Sequence, residues 1–168
     1  DGWGTRDRVV LVDGATWTDA LVGAHLAARL DVPVLVSGPS VPSETLSTVE
    51  RLGVKDVVAV GAVAVPDGTA VQRLTAADPV ALAVAALDLV PSVAGQPLVL
   101  VSAAGFADAL AAANLAPAGL LLTEPDRLAP AAAEAIRRHE PSTVVLVGGT
   151  AALSDQVAED VRALGVEV

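Results

Sequence analysis

The stretch VLVDGATWTDALVGAHLA (Val10–Ala27) returns as VLVSAAGFADALAAANLA (Val99–Ala116), so that Asp19 falls on Asp108. Each copy opens on an all-apolar run, crosses a short turn, meets an aromatic residue and continues into an Ala- and Leu-rich segment. An apolar run without period-two alternation is the mark of a strand buried on both faces, and strands of that kind belong to parallel sheets covered by helices. The same spacing continues outward. PVLVSGPSVP (Pro33–Pro42) follows the first copy where GLLLTEPDRLAP (Gly119–Pro130) follows the second, and VVAVGAVA (Val57–Ala64) and VVLVGGTA (Val144–Ala151) close the two units. Three signals in one order, given twice, are an internal repeat.

The full set of apolar runs is RVVLVD (Arg8–Asp13), PVLVS (Pro33–Ser37), VVAVG (Val57–Gly61), PLVLVS (Pro97–Ser102), LLLT (Leu120–Thr123) and TVVLVGG (Thr143–Gly149). Helix signals lie between them. Thr18–Leu30 is amphipathic, Pro42–Leu52 ends at Gly53 and Ser154–Leu164 ends at Gly165, a residue suited to a left-handed cap. Asp78 before Pro79 supplies an N-cap and first-turn pair for a helix running to about Val90. Strand and helix alternate, so right-handed β-α-β crossovers are expected. The predicted fold class is α/β: parallel sheets flanked by helices, in two tandem Rossmann-like or flavodoxin-like modules related by pseudo-symmetry. Module 1 spans 1–75 and is abbreviated, with only VPDGTAV (Val65–Val71) where the other has LSDQVAEDVRALG (Leu153–Gly165). Module 2, with a linker helix ahead of it, spans 76–168.

Composition narrows the function. The chain is 53% hydrophobic, mostly Ala, Val and Leu in short runs, and lacks the roughly 18 uninterrupted apolar residues that cross a bilayer, so no membrane partner is expected. A net charge of −10 and a single lysine, Lys55, argue against nucleic acid, whose binding depends on Lys and Arg releasing counterions. With no cysteine there are no disulfides, thiolate metal sites or Cys nucleophile. Neither an initiator Met nor a basic leader opens the sequence, which therefore reads as a mature product or an excised domain.

Asp19 and Asp108 each lie three residues after an N-cap position, Thr16 and Gly105. There a carboxylate can accept first-turn N–H groups, or, beyond the carboxyl ends of parallel strands, hold a sugar hydroxyl or a cation. Trp17 and Phe106 occupy matching helix entries, as hydrophobic plugs or as stacking surfaces for a saccharide ring. Aromatic residues make up only 2% of the chain, so any glycan contact must be mostly polar. His25 and His139 have no ligand at metal-binding spacing, and no G-x-S-x-G, P-loop or G-x-G-x-x-G pattern occurs; neither metal nor cofactor is expected. VGGTAALSD (Val147–Asp155) has the form of a Gly-rich anion-binding turn but lacks the lysine of a P-loop.

The ordered set of strand, DAL, Leu-Ala, Pro-Val-Leu-Val, Pro, helix, Gly-Val, strand, VGGTAALSD and ALGVEV resembles the type 2 cell wall binding repeat of Gram-positive bacteria and some archaea. The resemblance runs from Leu98 to Val168 and again from Val9 to about Leu74. It implies non-covalent anchoring of an exported, cell-surface protein through an anionic wall polymer, teichoic-acid-like or a secondary wall polysaccharide. It also implies three copies about a pseudo-threefold axis, and hence self-association or a third module. The family's Pro-Ile-Leu-Leu segment maps to Pro33, Val34, Leu35 and Val36, with Ser37 after it, and more loosely to Gly119, Leu120, Leu121 and Leu122, with Thr123 after it. Arg73 is the best remnant of the family's Arg-rich linker. The expected function is non-catalytic wall anchoring. Alternatives are an oligomerisation module without polymer binding and a glycosidase using Asp19 and Asp108, which would need the carboxyls about 5 to 10 Å apart.

Overall fold

The computed structural model describes residues 7–91, 94–105, 112 and 118–168. Phe106 and Asp108 lie outside the described residues. The chain divides into two compact units, Asp1–Ala76 and Ala77–Val168.

Unit 1 is built from β1 (Arg8–Asp13), α1 (Trp17–Leu30), β2 (Val34–Ser37), α2 (Ser43–Leu52), β3 (Asp56–Val60) and β4 (Ala70–Leu74). Its strands form one parallel sheet in the order β2-β1-β3-β4. Unit 2 contains α3 (Pro79–Leu89), β5 (Leu98–Ser102), β6 (Gly119–Thr123), α4 (Pro130–His139), β7 (Val144–Val147) and α5 (Asp155–Ala163). Its parallel sheet has the order β6-β5-β7. In both sheets the first strand is central, because a crossover to either side of it lets helices cover both faces.

The register recurs as well. Val10 pairs with Val34 and Val58, and Val99 pairs with Leu120 and Val145. Even the fourth strand has a trace in unit 2. Asp56 pairs with Ala70 at the start of β4, and Thr143 makes an isolated parallel bridge to Glu167, with Val144 N donating to Glu167 O at 2.8 Å.

Local chemistry accounts for the element ends. Asp78 caps α3 by accepting from Ala81 N at 2.8 Å, with Pro79 in the first turn. Gly53 ends α2 in the left-handed region at φ 68°. α1 is closed by Asp31 at φ 53° and α4 by Glu140 at φ 45°, two positions with no glycine to announce them. β4 departs from expectation. AVQRL has four exposed residues and carries Gln72 and Arg73, so it has none of the apolar signature of a buried strand. It pairs with β3 directly after the loop 61–69, with no helix between them.

The two cores are aliphatic. Val9, Leu11, Leu52, Val57, Ala59 and Val63 cluster in unit 1; Leu98, Leu100, Leu121, Ile136, Val157 and Val161 belong to the larger cluster of unit 2. Each fully buried Val or Leu contributes about 1.5–3 kcal/mol. Gly23 lets α1 lie close on β1, since a Cβ there would run into Val12 Cγ1.

Candidate functional site

The carboxyl ends of β1, β2 and β3 meet at one edge of unit 1, where the loops after them are tied together. Ser37, 2% exposed, donates from Oγ to Ala64 O at 2.7 Å, while Ala64 N donates to Gly38 O at 2.7 Å. Thr45 Oγ1 donates to Val36 O at 2.7 Å and fixes the start of α2 on β2. The loop after β3 is held further by Arg73, whose Nη1 donates to Val63 O at 3.0 Å. Arg73 is thus anchored to backbone through one N–H while its side chain stays exposed.

The turn into α1 is organised by Asp13. Its Oδ1 accepts from Ala15 N at 2.8 Å, and Thr16 Oγ1 donates to its Oδ2 at 3.4 Å. Thr16 holds the N-cap position but makes no side-chain cap bond, because its hydroxyl is turned back to Asp13. Asp19 sits in the first turn with its carboxylate in the space that a side chain at Gly61, the residue after β3 at φ 82°, would occupy. A side chain at Gly61 would collide with that carboxylate. Burial raises the Asp19 pKa, the nearby Asp13 charge raises it further, and a hydrogen bond from Thr18 acts the other way. Trp17 is half-buried at the helix entry.

In unit 2 the matching turn is neutral. Ser102 stands where Asp13 stands, and its Oγ accepts from Ala104 N at 3.2 Å. Leu121, Leu122 and Thr123 are wholly buried. Thr123 Oγ1 donates to Arg127 O at 3.0 Å and accepts from Ala129 N at 2.8 Å, tying the loop after β6 to the start of α4. Leu128 N donates to Asp160 Oδ2 at 3.0 Å, which joins the same loop to α5 and lowers the Asp160 pKa. Sequence reasoning had no local signal for that contact, which spans 32 residues.

Pro33 accepts from Val10 N at 2.9 Å, and Leu35 packs on the unit 1 core. Val34 and Val36, by contrast, are 41% and 54% exposed. Several arginines are held by carboxylates: Arg127 by Glu124, Arg137 by Glu134 and Arg138 by Asp88. A hollow of about 180 Å³ lies at the amino ends of β1, β3 and β4, away from the loops described above, and is lined by Arg8, Asp56 and Gln72 among others. Among the described residues no three His, Cys, Asp or Glu side chains are grouped to hold a metal ion, and no helix is long and apolar enough to cross a membrane.

Comparison with known proteins gives the arrangement a family. The fold is similar to that of Cwp6 from Clostridium difficile, with a TM-score of 0.84 at 21% identity over 97% of this chain and 28% of that one. It is similar also to Cwp8 from Clostridium difficile, with a TM-score of 0.81 at 22% identity over 96% of this chain and 30% of that one. The chain therefore spans under a third of the length of either. No curated protein matches the sequence. The model of cell wall binding domain 2 (CWB2) matches residues 73–158, a segment that begins within β4, takes in α3 and β5 to β7, and ends within α5. Since that segment is just over half of the sequence, the chain belongs to the cell wall binding domain 2 family.

Proposed function

We propose that this chain is a non-catalytic anchor of an exported, cell-surface protein, made of two modules of the CWB2 type and holding an anionic secondary wall polymer. The family match over residues 73–158 carries this reading. The return of the same strand order and register in unit 1 supports the second module. In each unit the polymer-facing surface is the loop edge at the carboxyl ends of its strands, with Asp19 and Trp17 beside it in unit 1 and with Ser37 and Thr123 holding the loops of their own units in shape; Asp108 and Phe106, their counterparts in the repeat, are proposed for the same role from the sequence alone. Parallel α/β sheets bind ligands at that edge.

Charge sets the conditions for binding. At −10 the chain repels a polyanion, and screening within about 8–10 Å at physiological salt confines the repulsion to nearby groups. Co-sedimentation with wall sacculi, before and after their anionic polymers are stripped, tests the reading at two salt concentrations and with added calcium. The expected result is pelleting with intact sacculi and loss of at least tenfold after stripping. Equal binding to stripped walls removes the polymer as ligand. The pairing of Arg127, Arg137 and Arg138 with carboxylates favours a second reading, an oligomerisation module that binds no polymer. Self-association without pelleting at any salt or calcium level selects it.

A further inference from the structure

One side of the unit 1 sheet carries, at the amino ends of its strands, polar side chains that the fold does not use. Side chains alternate along a strand, and residues paired across parallel strands point to the same side. Arg8 pairs with Asp56 and Asp56 with Ala70, while Val10 pairs with Val58 and Val58 with Gln72, so all six share one side. It is the side on which α1 packs, since a Cβ at Gly23 would meet both Val10 and Val12. The hollow of about 180 Å³ is lined on this side by Arg8, Asp56, Val58, Ala70 and Gln72.

Arg8 and Gln72 are exposed and Asp56 is half-buried, yet among the described residues none of these three side chains makes a hydrogen bond or an ion pair. Arg73, Arg127, Arg137 and Arg138, by contrast, are all engaged. Unit 2 places Pro97 and Thr143 where unit 1 has Arg8 and Asp56, so the repeated fold has no need of the two charges.

The charges also select a ligand. Neighbouring strands lie about 4.8 Å apart, which sets the guanidinium and the carboxylate side by side. A ligand with only a negative charge meets Asp56, and one with only a positive charge meets Arg8. A ligand carrying both satisfies both through charge-assisted hydrogen bonds. The volume is below the roughly 300–1,000 Å³ of sites for drug-sized ligands, so the occupant has few atoms.

We propose that this hollow binds a free amino acid with a small side chain. Its carboxylate rests on Arg8 and its ammonium group on Asp56, and the Gln72 amide oxygen accepts from the same ammonium. The hollow and the edge assigned to the polymer lie at opposite ends of the unit 1 strands, so amino-acid binding and sacculus pelleting each succeed or fail alone.

The test follows amide shifts of the full 168-residue chain by NMR with three probes: alanine, N-acetylalanine, which lacks the cation, and alaninamide, which lacks the carboxylate. The expected result is saturable shifts with alanine, in the millimolar range, at Val57, Val58, Ala70 and Gln72, with unit 2 unchanged. Each blocked probe binds at least about tenfold more weakly, the loss of one charge-assisted contact. Arg8→Gln removes the preference for alanine over alaninamide, and Asp56→Asn removes the preference over N-acetylalanine. Should either variant lose the dispersed spectrum, the ranking of the three probes on the unaltered chain still decides. No saturable response to alanine overturns the proposal, as does an equal response to all three probes or a response confined to the loops after β1, β2 and β3.

Discussion

β2 and β6 occupy the same place in their sheets, yet one lies under cover and the other is open. A strand buried on both faces, as β6 is, must be apolar throughout, and GLLLT complies. β2 reads VLVS, just as apolar, but only Ser37 within it is buried. Apolar composition therefore states what a strand is fit to pack against, while the neighbouring element decides whether the packing occurs. In unit 2 one such neighbour is α3, which packs on the Leu121 side of β6 and reaches Ala135 and Arg138 on α4.

A charge placed on each edge strand in turn separates the two most strongly. Leu122→Asp puts an unpaired carboxylate into a fully buried site and is expected to cost more than about 4 kcal/mol or to prevent folding. Val36→Asp, on a side chain 54% exposed, is expected to cost under about 1 kcal/mol. Urea denaturation of both variants measures the gap; equal losses would mean that β2 is covered in solution.

A second, smaller contrast concerns the helix clasp. Asp88→Ala or Arg138→Ala is expected to cost about 1 kcal/mol, the upper end for a pair that remains about half exposed. Arg51→Ala, in the last turn of α2, is expected to change nothing measurable. A double-mutant cycle on Asp88 and Arg138 isolates their coupling from the contact between His139 Nε2 and Asp88 Oδ1, at 2.9 Å. A coupling near zero would reduce the clasp to coincidence.

The smallest effect distinguishes the two turns, acidic in unit 1 and neutral at Ser102. The raised pKa of Asp19 means that the folded chain holds its proton more tightly than the unfolded chain. The stability this group contributes is complete below its ordinary value of 3.8 and is lost as pH rises through the higher folded value. Asp19→Asn is therefore expected to raise thermal stability at neutral pH, by under about 1 kcal/mol after solvent screening, with the gain vanishing as pH falls below 3.8. A gain that persists in acid would point to shape rather than charge.

Much of the architecture was legible because it is locally encoded. The six apolar runs became strands, Asp78 capped α3 through its side chain, and Gly53 closed α2. β4 was not legible, since a strand whose faces are open to solvent has no need of apolar residues, and Gln72 and Arg73 disguise it. The turn into α1 carried two acidic residues in reach of one hydroxyl, and proximity in the folded chain gave Thr16 to Asp13. Asp19 against Gly61, and Asp88 with Arg138, join residues about 40 and 50 positions apart, beyond any periodicity. A lone acid near the end of an otherwise apolar helix was the one available hint of the second contact.

The single bridge from Thr143 to Glu167 has a practical meaning for anyone handling this protein. It directs the last residues alongside β7, so a tag or dye attached after Val168 would emerge next to an open strand rather than into bulk solvent. An extended tag could zip onto that strand and masquerade as native assembly, which makes cleavable tags the safer choice for mass measurements.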